Sequence, residues 1–309
     1  MNLLGFQFAE DKLVSPAQTA DILGVELDLK QSGEGVICVR NKQDRISDIE
    51  ATLNEILDAK KVRPKELPSH LGRLQFADMQ VAGRAGKLAM CDLRALGTDG
   101  RSAVDLNNSQ LSALKLLKGR MVSGKPKRLT AKPQAKPQAK PWVLFTDGAL
   151  EHNSCNEPEA CIGAVLFSPQ GDTWYFGCKV PSETFETWTC DGREHVIGLV
   201  ELYACVVALR HWKNLFKDER IILFVDNYGA QDCLVKGTAS VNAWRTLLMI
   251  LEEMDDALFQ NLWVTRVPSQ SNPADFPSRG SVAELSFCGA MTQSQPTCPI
   301  AHTLLEMLC

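Results

Sequence analysis

The chain has 309 residues, 45% of them hydrophobic and 23% charged, and carries a net charge of -4. That composition excludes a disordered or collagen-like chain, and no run of about 18 apolar residues offers a transmembrane helix. The length suits about two domains, each able to bury its own core. Residues 1–6 are apolar but lack a basic flank and run into Glu10 and Asp11, so a signal peptide is not expected. The 11 cysteines include no Cys-x-x-Cys pair and no zinc-ligand spacing, which suits small buried hydrophobes in a reducing compartment. An intracellular setting, cytoplasm or nucleus, with no membrane partner, is the expectation.

Residues 22–29 alternate like a strand, and Gly33-Glu34-Gly35 forms a turn before a second strand at 36–39. A helix follows, with Ser47 as its expected cap and Glu50 three residues on. Its apolar stripe is Ile49, Leu53, Ile56 and Leu57, and Pro64 and Pro68 end it. A second helix is expected from near Ser69, carrying Leu71, Leu74 and Phe76, and another over 109–117.

Residues 118–141 hold eight Lys or Arg and no acid, and end in an Ala-Lys-Pro-Gln repeat. This segment reads as an extended, semi-stiff linker with charge on all sides, because a period of four does not match the three-residue polyproline turn. It divides the chain unevenly. Residues 1–117 carry a net -1, the linker +8 and residues 142–309 a net -11. Lys125, Lys127 and Arg128 are its candidate nucleic-acid contacts.

Beyond the linker, strands are predicted at 142–146, 162–167 and 174–180, as an antiparallel meander. A helix over 195–214 is expected to turn Ile197, Val200, Ala204, Val207 and Leu209 inward. The run 220–225, apolar from Ile221 onward, predicts a strand buried on both faces. Helices at 228–236 and 241–258, a fifth strand at 262–267 and a helix near Pro273 complete the order. The implied fold class is α/β: a mixed five-stranded sheet flanked by helices, preceded by a smaller α+β or helical region over 1–117. Residues 281–309 read as a tail without recognisable chemistry.

Two apolar strands end in aspartate, at Asp147 and Asp226. Each alone reads as a cap of the next element. Two central strands doing the same, if parallel neighbours, place both carboxylates at one crevice. Glu201 interrupts an apolar helix, so it either faces solvent or points at a partner. Asp275, in Asn272-Pro273-Ala274-Asp275, reads alone as a first-turn acid. Clustered carboxylates repel, and a cation relieves them. Oxygen ligands without Cys or His suit Mg²⁺ or Mn²⁺, and two such ions support phosphodiester hydrolysis.

Thr146-Asp147-Gly148-Ala149, Glu201-Leu202-Tyr203-Ala204, Val225-Asp226-Asn227 and Asn272-Pro273-Ala274-Asp275 resemble, in order, the four acidic motifs of ribonuclease H domains, most of all those of retroelement reverse transcriptases. The resemblance covers 142–280. It implies two-metal cleavage of the RNA strand of an RNA–DNA hybrid, with Asp147, Glu201, Asp226 and Asp275 as catalytic metal ligands. Apart from the resemblance, Asn227 and Ser278 are candidate contacts to a nucleic-acid backbone, and Arg279, which follows the last acidic motif, is the better candidate for a phosphate. Ser269-Gln270-Ser271 stands where many members carry a His, and the stretch 181–199 is longer than usual. Less closely, Lys12, 22–25, 42–57 and 71–77 resemble the palm end, thumb and connection of reverse transcriptases. No Tyr-x-Asp-Asp motif is present, so the chain is not expected to polymerise DNA and reads as part of a longer polyprotein. Two other readings stay open: a nucleic-acid-binding remnant without turnover, and another nuclease or strand-transfer enzyme on the same fold. Of the six tryptophans, most sit in element-like runs and are expected in the core.

Overall fold

The structure is a computed structural model that describes residues 17–22, 24–77, 86–96, 102–123, 126–130, 140–152, 157–189, 196–216, 219–252, 254, 262–289 and 291–298. Lys12, Lys125 and most of the Ala-Lys-Pro-Gln repeat lie outside these residues.

The N-terminal strands β1 (Thr19–Ile22), β2 (Val25–Asp28) and β3 (Val36–Asn41) form an antiparallel meander. The β1–β2 turn places Gly24 at φ 80°, which favours glycine. Helix α1 (Gln43–Ala59) begins four residues before the expected cap, so Ser47 lies inside it. Its buried stripe is Ile46, Ile49, Leu53 and Ile56. Two-residue strands β4 (Lys61–Val62) and β5 (Val104–Asp105) pair with each other. Helices α2 (Leu67–Ala77), α3 (Lys87–Ala95) and α4 (Asn108–Val122) complete the region. Asn107 and Gln110 cap α4 reciprocally, side chain to backbone.

The linker expected over 118–141 is structured along its first half. Residues up to Val122 continue α4, with Met121 buried, and β6 (Lys127–Thr130) adds an antiparallel edge strand to β3. Composition hid this, because a helix end and an edge strand both tolerate solvated lysines and arginines.

The second region centres on β7 (Trp142–His152), β8 (Pro158–Phe167) and β9 (Thr173–Lys179), which form the expected antiparallel meander. Helices α5 (Ser182–Thr189) and α6 (Ile197–His211) follow, then β10 (Ile221–Val225), α7 (Tyr228–Lys236), α8 (Asn242–Glu252), β11 (Leu262–Arg266) and a short α9 (Asp275–Ser278). A sixth strand, β12 (Met291–Gln293), lies parallel to β9. The sheet order is β11-β10-β7-β8-β9-β12, a mixed sheet flanked by helices with one strand more than expected. Three residues of mixed polarity in the tail offer no alternation by which to read β12.

Helix α6 is apolar on every side, and Gly198 through Leu209 are all buried beneath the sheet. Ile197, expected inward, is 37% exposed because it opens the helix. The opposite sheet face carries a smaller cluster of Val165, Ala274 and Leu285, joined by Phe145, Phe167, Tyr175, Phe276 and Met291. The larger core runs on into the N-terminal helices through α8. There Arg245 of α8 forms a buried ion pair with Asp92 of α3, and Arg120 of α4 donates to the Met254 carbonyl at 2.9 Å.

Trp142, Trp188 and Trp212 are buried, and Trp174 and Trp244 pack at the core margin. Trp263 departs from expectation at 70% exposed, since β11 is the outer strand of the sheet. Among the described residues, no helix is long and apolar enough to cross a membrane.

Candidate active site

Strand β10 lies parallel to β7, with Phe224 opposite Phe145. Asp147 and Asp226 both stand two residues further on, so the register brings them to one level at the same end of the sheet. Helix α6 packs against β7 so closely that a Cβ on Gly148 would lie 2.7 Å from the Glu201 nitrogen. That approach presses Glu201 against the two aspartates. One oxygen from each of Asp147, Glu201 and Asp226 lies within 4.8 Å of the others.

The solvent reading of Glu201 is therefore excluded: it is 5% exposed, and Asp147 3%. Burial pushes the Asp147 carboxyl up to about 7, opposed by the Ser278 hydroxyl and reinforced by Asp226 and Asp275. Burial also pushes Glu201 up to about 10, with Asp147 and Asp226 adding repulsion. Glu201 Oε2 and Asp226 Oδ1 are buried without a hydrogen-bond partner. Orphaned acceptors in a buried group of like charges are what a bound cation would satisfy. All the donors are hard oxygens, which fits Mg²⁺ or Mn²⁺. Among the described residues this is the one such group of acids, histidines or cysteines.

Asp147 is held from the other face of the sheet. Asp147, Gly163 and Gly177 stand in one cross-strand row. Any side chain on either glycine would collide with the backbone of 274–278, so α9 sits directly on the sheet. Ser278 Oγ then donates to Asp147 Oδ2 at 2.5 Å, and Asn272 Nδ2 donates to Asp147 Oδ1 at 3.3 Å. Asn272 is fixed in turn, donating to the Thr146 carbonyl at 2.9 Å and accepting from the Ala274 N–H at 3.2 Å.

Three of the four expected acids are thus brought together and the fourth is not. Asp275 is outside the cluster, and its Oδ1 accepts from Arg279 Nε at 2.8 Å. Ser278, expected to reach a nucleic-acid backbone, is buried and uses its hydroxyl to orient Asp147. Asn227 caps α7, accepting from the Ala230 N–H at 3.1 Å. Arg279 is half exposed but paired with Asp275 and, at 3.8 Å, with Glu151. Lys127 and Arg128 lie on β6 in the other sheet.

The positioning residues Asn272, Gly163 and Gly177 carried no expected role. The glycines held a signal, because glycine inside an apolar strand marks a close backbone approach. An exposed pair also borders Asp226. The Arg266 guanidinium lies 3.8 Å from the centre of the Tyr228 ring, and Arg266 Nε donates to the Asp226 carbonyl at 3.3 Å.

No family model matches the chain, and no curated protein is similar to it. Among solved structures it is similar to RNase H1 from the halophilic archaeon Halobacterium salinarum, with 20% identity and a TM-score of 0.35, covering 47% of this chain and 99% of that one. An N-terminal RNase H domain from Mycobacterium tuberculosis is similar at 13% identity and a TM-score of 0.34, over 48% of this chain and 98% of that one. A foamy viral protease–reverse transcriptase, solved in complex with an RNA/DNA hybrid, is similar at 9% identity and a TM-score of 0.31. That match covers 85% of this chain and 52% of the viral chain.

Proposed function

We propose that the chain is a metal-dependent ribonuclease H that hydrolyses the RNA strand of RNA–DNA hybrids, as the C-terminal part of a retroelement reverse transcriptase. The observation that carries the proposal is the convergence of Asp147, Glu201 and Asp226, with two of their buried oxygens unsatisfied. The hybrid as substrate and the polyprotein setting rest on the resemblance of the four acidic motifs. On this reading residues 1–117 are a palm-end and thumb-like region, and 142–280 the nuclease domain.

Asp147, Glu201 and Asp226 would hold two Mg²⁺ or Mn²⁺ ions. When bound, such ions activate a water and stabilise the leaving oxygen of a phosphodiester. The protein's own part is to arrange charge. Ser278 and Asn272 fix both oxygens of Asp147, so one rotamer is kept without a bound ligand. Burial raises both carboxyls, Glu201 to about 10 and Asp147 to about 7, so cation binding would release a proton from Glu201 and, below about pH 7, from Asp147 as well. Asp275, paired through Oδ1 with Arg279, would complete the shell only by moving toward the cluster.

A radiolabelled RNA–DNA hybrid incubated with the full chain and Mg²⁺ tests this directly. Cleavage of the RNA strand is expected, abolished by chelation and reduced at least about a thousandfold by Asp226→Asn. Cleavage that survives the substitution overturns the assignment of the site. A second reading, binding without turnover, is favoured by the Asp275–Arg279 pair, which leaves the cluster at three acids. It predicts salt-sensitive hybrid binding and no product in either Mg²⁺ or Mn²⁺.

A further inference from the structure

The tail beyond α9 runs back along the outer edge of the sheet. Met291–Gln293 pairs with Thr173–Tyr175, and the Ser294 N–H donates to the Tyr175 carbonyl at 2.7 Å. Four residues later Cys298 Sγ comes within 3.5 Å of Cys178 Sγ, 120 residues away in sequence. Both side chains are partly buried and neither is in a disulfide. The Tyr203 hydroxyl, fully buried on α6, also bonds to Cys298.

We propose that Cys178 and Cys298 form a redox-active dithiol that, on oxidation, closes into a disulfide clamping the C-terminal segment to the sheet edge. The sulfurs must approach from 3.5 Å to about 2.05 Å. Cys298 is the attacking thiol. The bond shared with Cys178, in which either sulfur can be the donor, and a second bond from the Tyr203 hydroxyl favour its thiolate. With hydrogen peroxide as oxidant, the Cys298 thiolate attacks one oxygen, the O–O bond breaks and hydroxide leaves, giving a sulfenic acid. The Cys178 sulfur then attacks the sulfenyl sulfur. The S–S bond forms, the S–O bond breaks and water leaves. In total the two thiols give up two electrons and two protons, and the peroxide becomes two waters.

Oxidation replaces the Cys298 thiol that Tyr203 holds, and Tyr203 lies two positions along α6 from Glu201. The clamp joins the tail to the sheet edge, beside the helix that carries one of the clustered acids. It stands on the sulfur geometry alone and is independent of the proposed cleavage reaction.

The test uses the full chain, reduced and then exposed to stoichiometric hydrogen peroxide under native conditions. Non-reducing peptide mapping is expected to show a Cys178–Cys298 linked pair. Thiol titration should show a loss of two of the 11 thiols, restored by dithiothreitol. The oxidised chain should melt several degrees higher, because the closed loop is long. Cys298→Ser, a change in the half-exposed tail, should keep its reduced-state melting temperature and lose the peroxide-dependent increase. Pairing of either cysteine with a third cysteine instead, or over-oxidation of Cys298 without a linked pair, would overturn the proposal. The mapping is done on the unmodified protein, so a variant that misfolds does not obscure the result.

Discussion

Asp147 binds its proton more tightly in the folded chain than in the unfolded one, because burial raises its carboxyl to about 7. The stability from that proton is complete below about pH 4 and is lost as pH rises through about 7. Glu201 repeats the behaviour over a wider range, up to about 10. The metal-free protein is thus expected to tolerate mild acid better at this site than neutral pH. Asp147→Asn removes the titration while an amide can still meet Ser278 and Asn272. In chelator, its melting temperature relative to the parent should rise between about pH 5 and pH 8, by the equivalent of a few kcal/mol at most. A gap that stays constant with pH would show that Asp147 is not buried as a strained acid. Adding Mg²⁺ to the parent at about pH 8 should narrow the gap, since the cation offsets the buried charge that the lost proton leaves. At this scale the acids were legible in the sequence by where they stand on their elements, but their protonation was not. A lone charge in an apolar helix is normally solvated, and only the all-round burial of α6 turns Glu201 inward.

Elements decide how firmly that carboxylate is held. The strand pattern of the second region was readable because three apolar runs with turn residues between them allow little except a meander. The buried strand β10 was equally plain from its unbroken apolar run. The seat of α9 was not. It depends on which residues of β8 and β9 fall opposite Asp147, and register is a property of paired strands rather than of either sequence. Gly163 and Gly177 fill those places. Gly177→Ala puts a methyl into the Pro277 carbonyl, and Gly163→Ala puts one into the Ser278 backbone. Each is expected to cost about 1–3 kcal/mol, as overpacking does, and to lift α9 from the sheet. Metal affinity should then fall about 10–100-fold, as it does when an outer partner of a ligand is removed. Ser278→Ala should reproduce the affinity loss with a smaller loss of stability. Titration calorimetry with Mn²⁺ beside thermal melting separates the two effects. Equal affinity in all three variants would mean that α9 does not orient Asp147.

Across the whole molecule two features bear on how the regions on either side of residue 140 work together. One is the buried ion pair of Asp92 with Arg245, which also donates to the Ala239 carbonyl at 3.3 Å. Burial raises the Asp92 carboxyl and the guanidinium opposes that rise. Arg245→Met strands the buried acid and should cost about 3–5 kcal/mol, whereas Asp92→Leu with Arg245→Met should recover much of the loss. Independent melting of the two regions in the parent chain would show that they are not coupled through this ion pair. The other feature is charge. The net -11 of residues 142–309 repels a polyanion on average, and Arg279 partly offsets Asp275 and Glu151. On the proposed function, attraction would then come largely from the basic residues of 118–141. Deleting that whole segment would remove buried Met121 and the β6 strand, so its effect could not be assigned to charge. Lys132, Lys136 and Lys140 lie beyond β6, and Lys140 is exposed. Their joint replacement by Gln keeps the prolines and the length and removes three charges. On the hybrid, KM should rise about tenfold or more at low salt while kcat changes less than about twofold. The slope of log affinity against log salt should flatten by about 0.9 for each duplex phosphate that the variant no longer neutralises. An unchanged KM and an unchanged slope would make the repeat a spacer whose charge takes no part in binding.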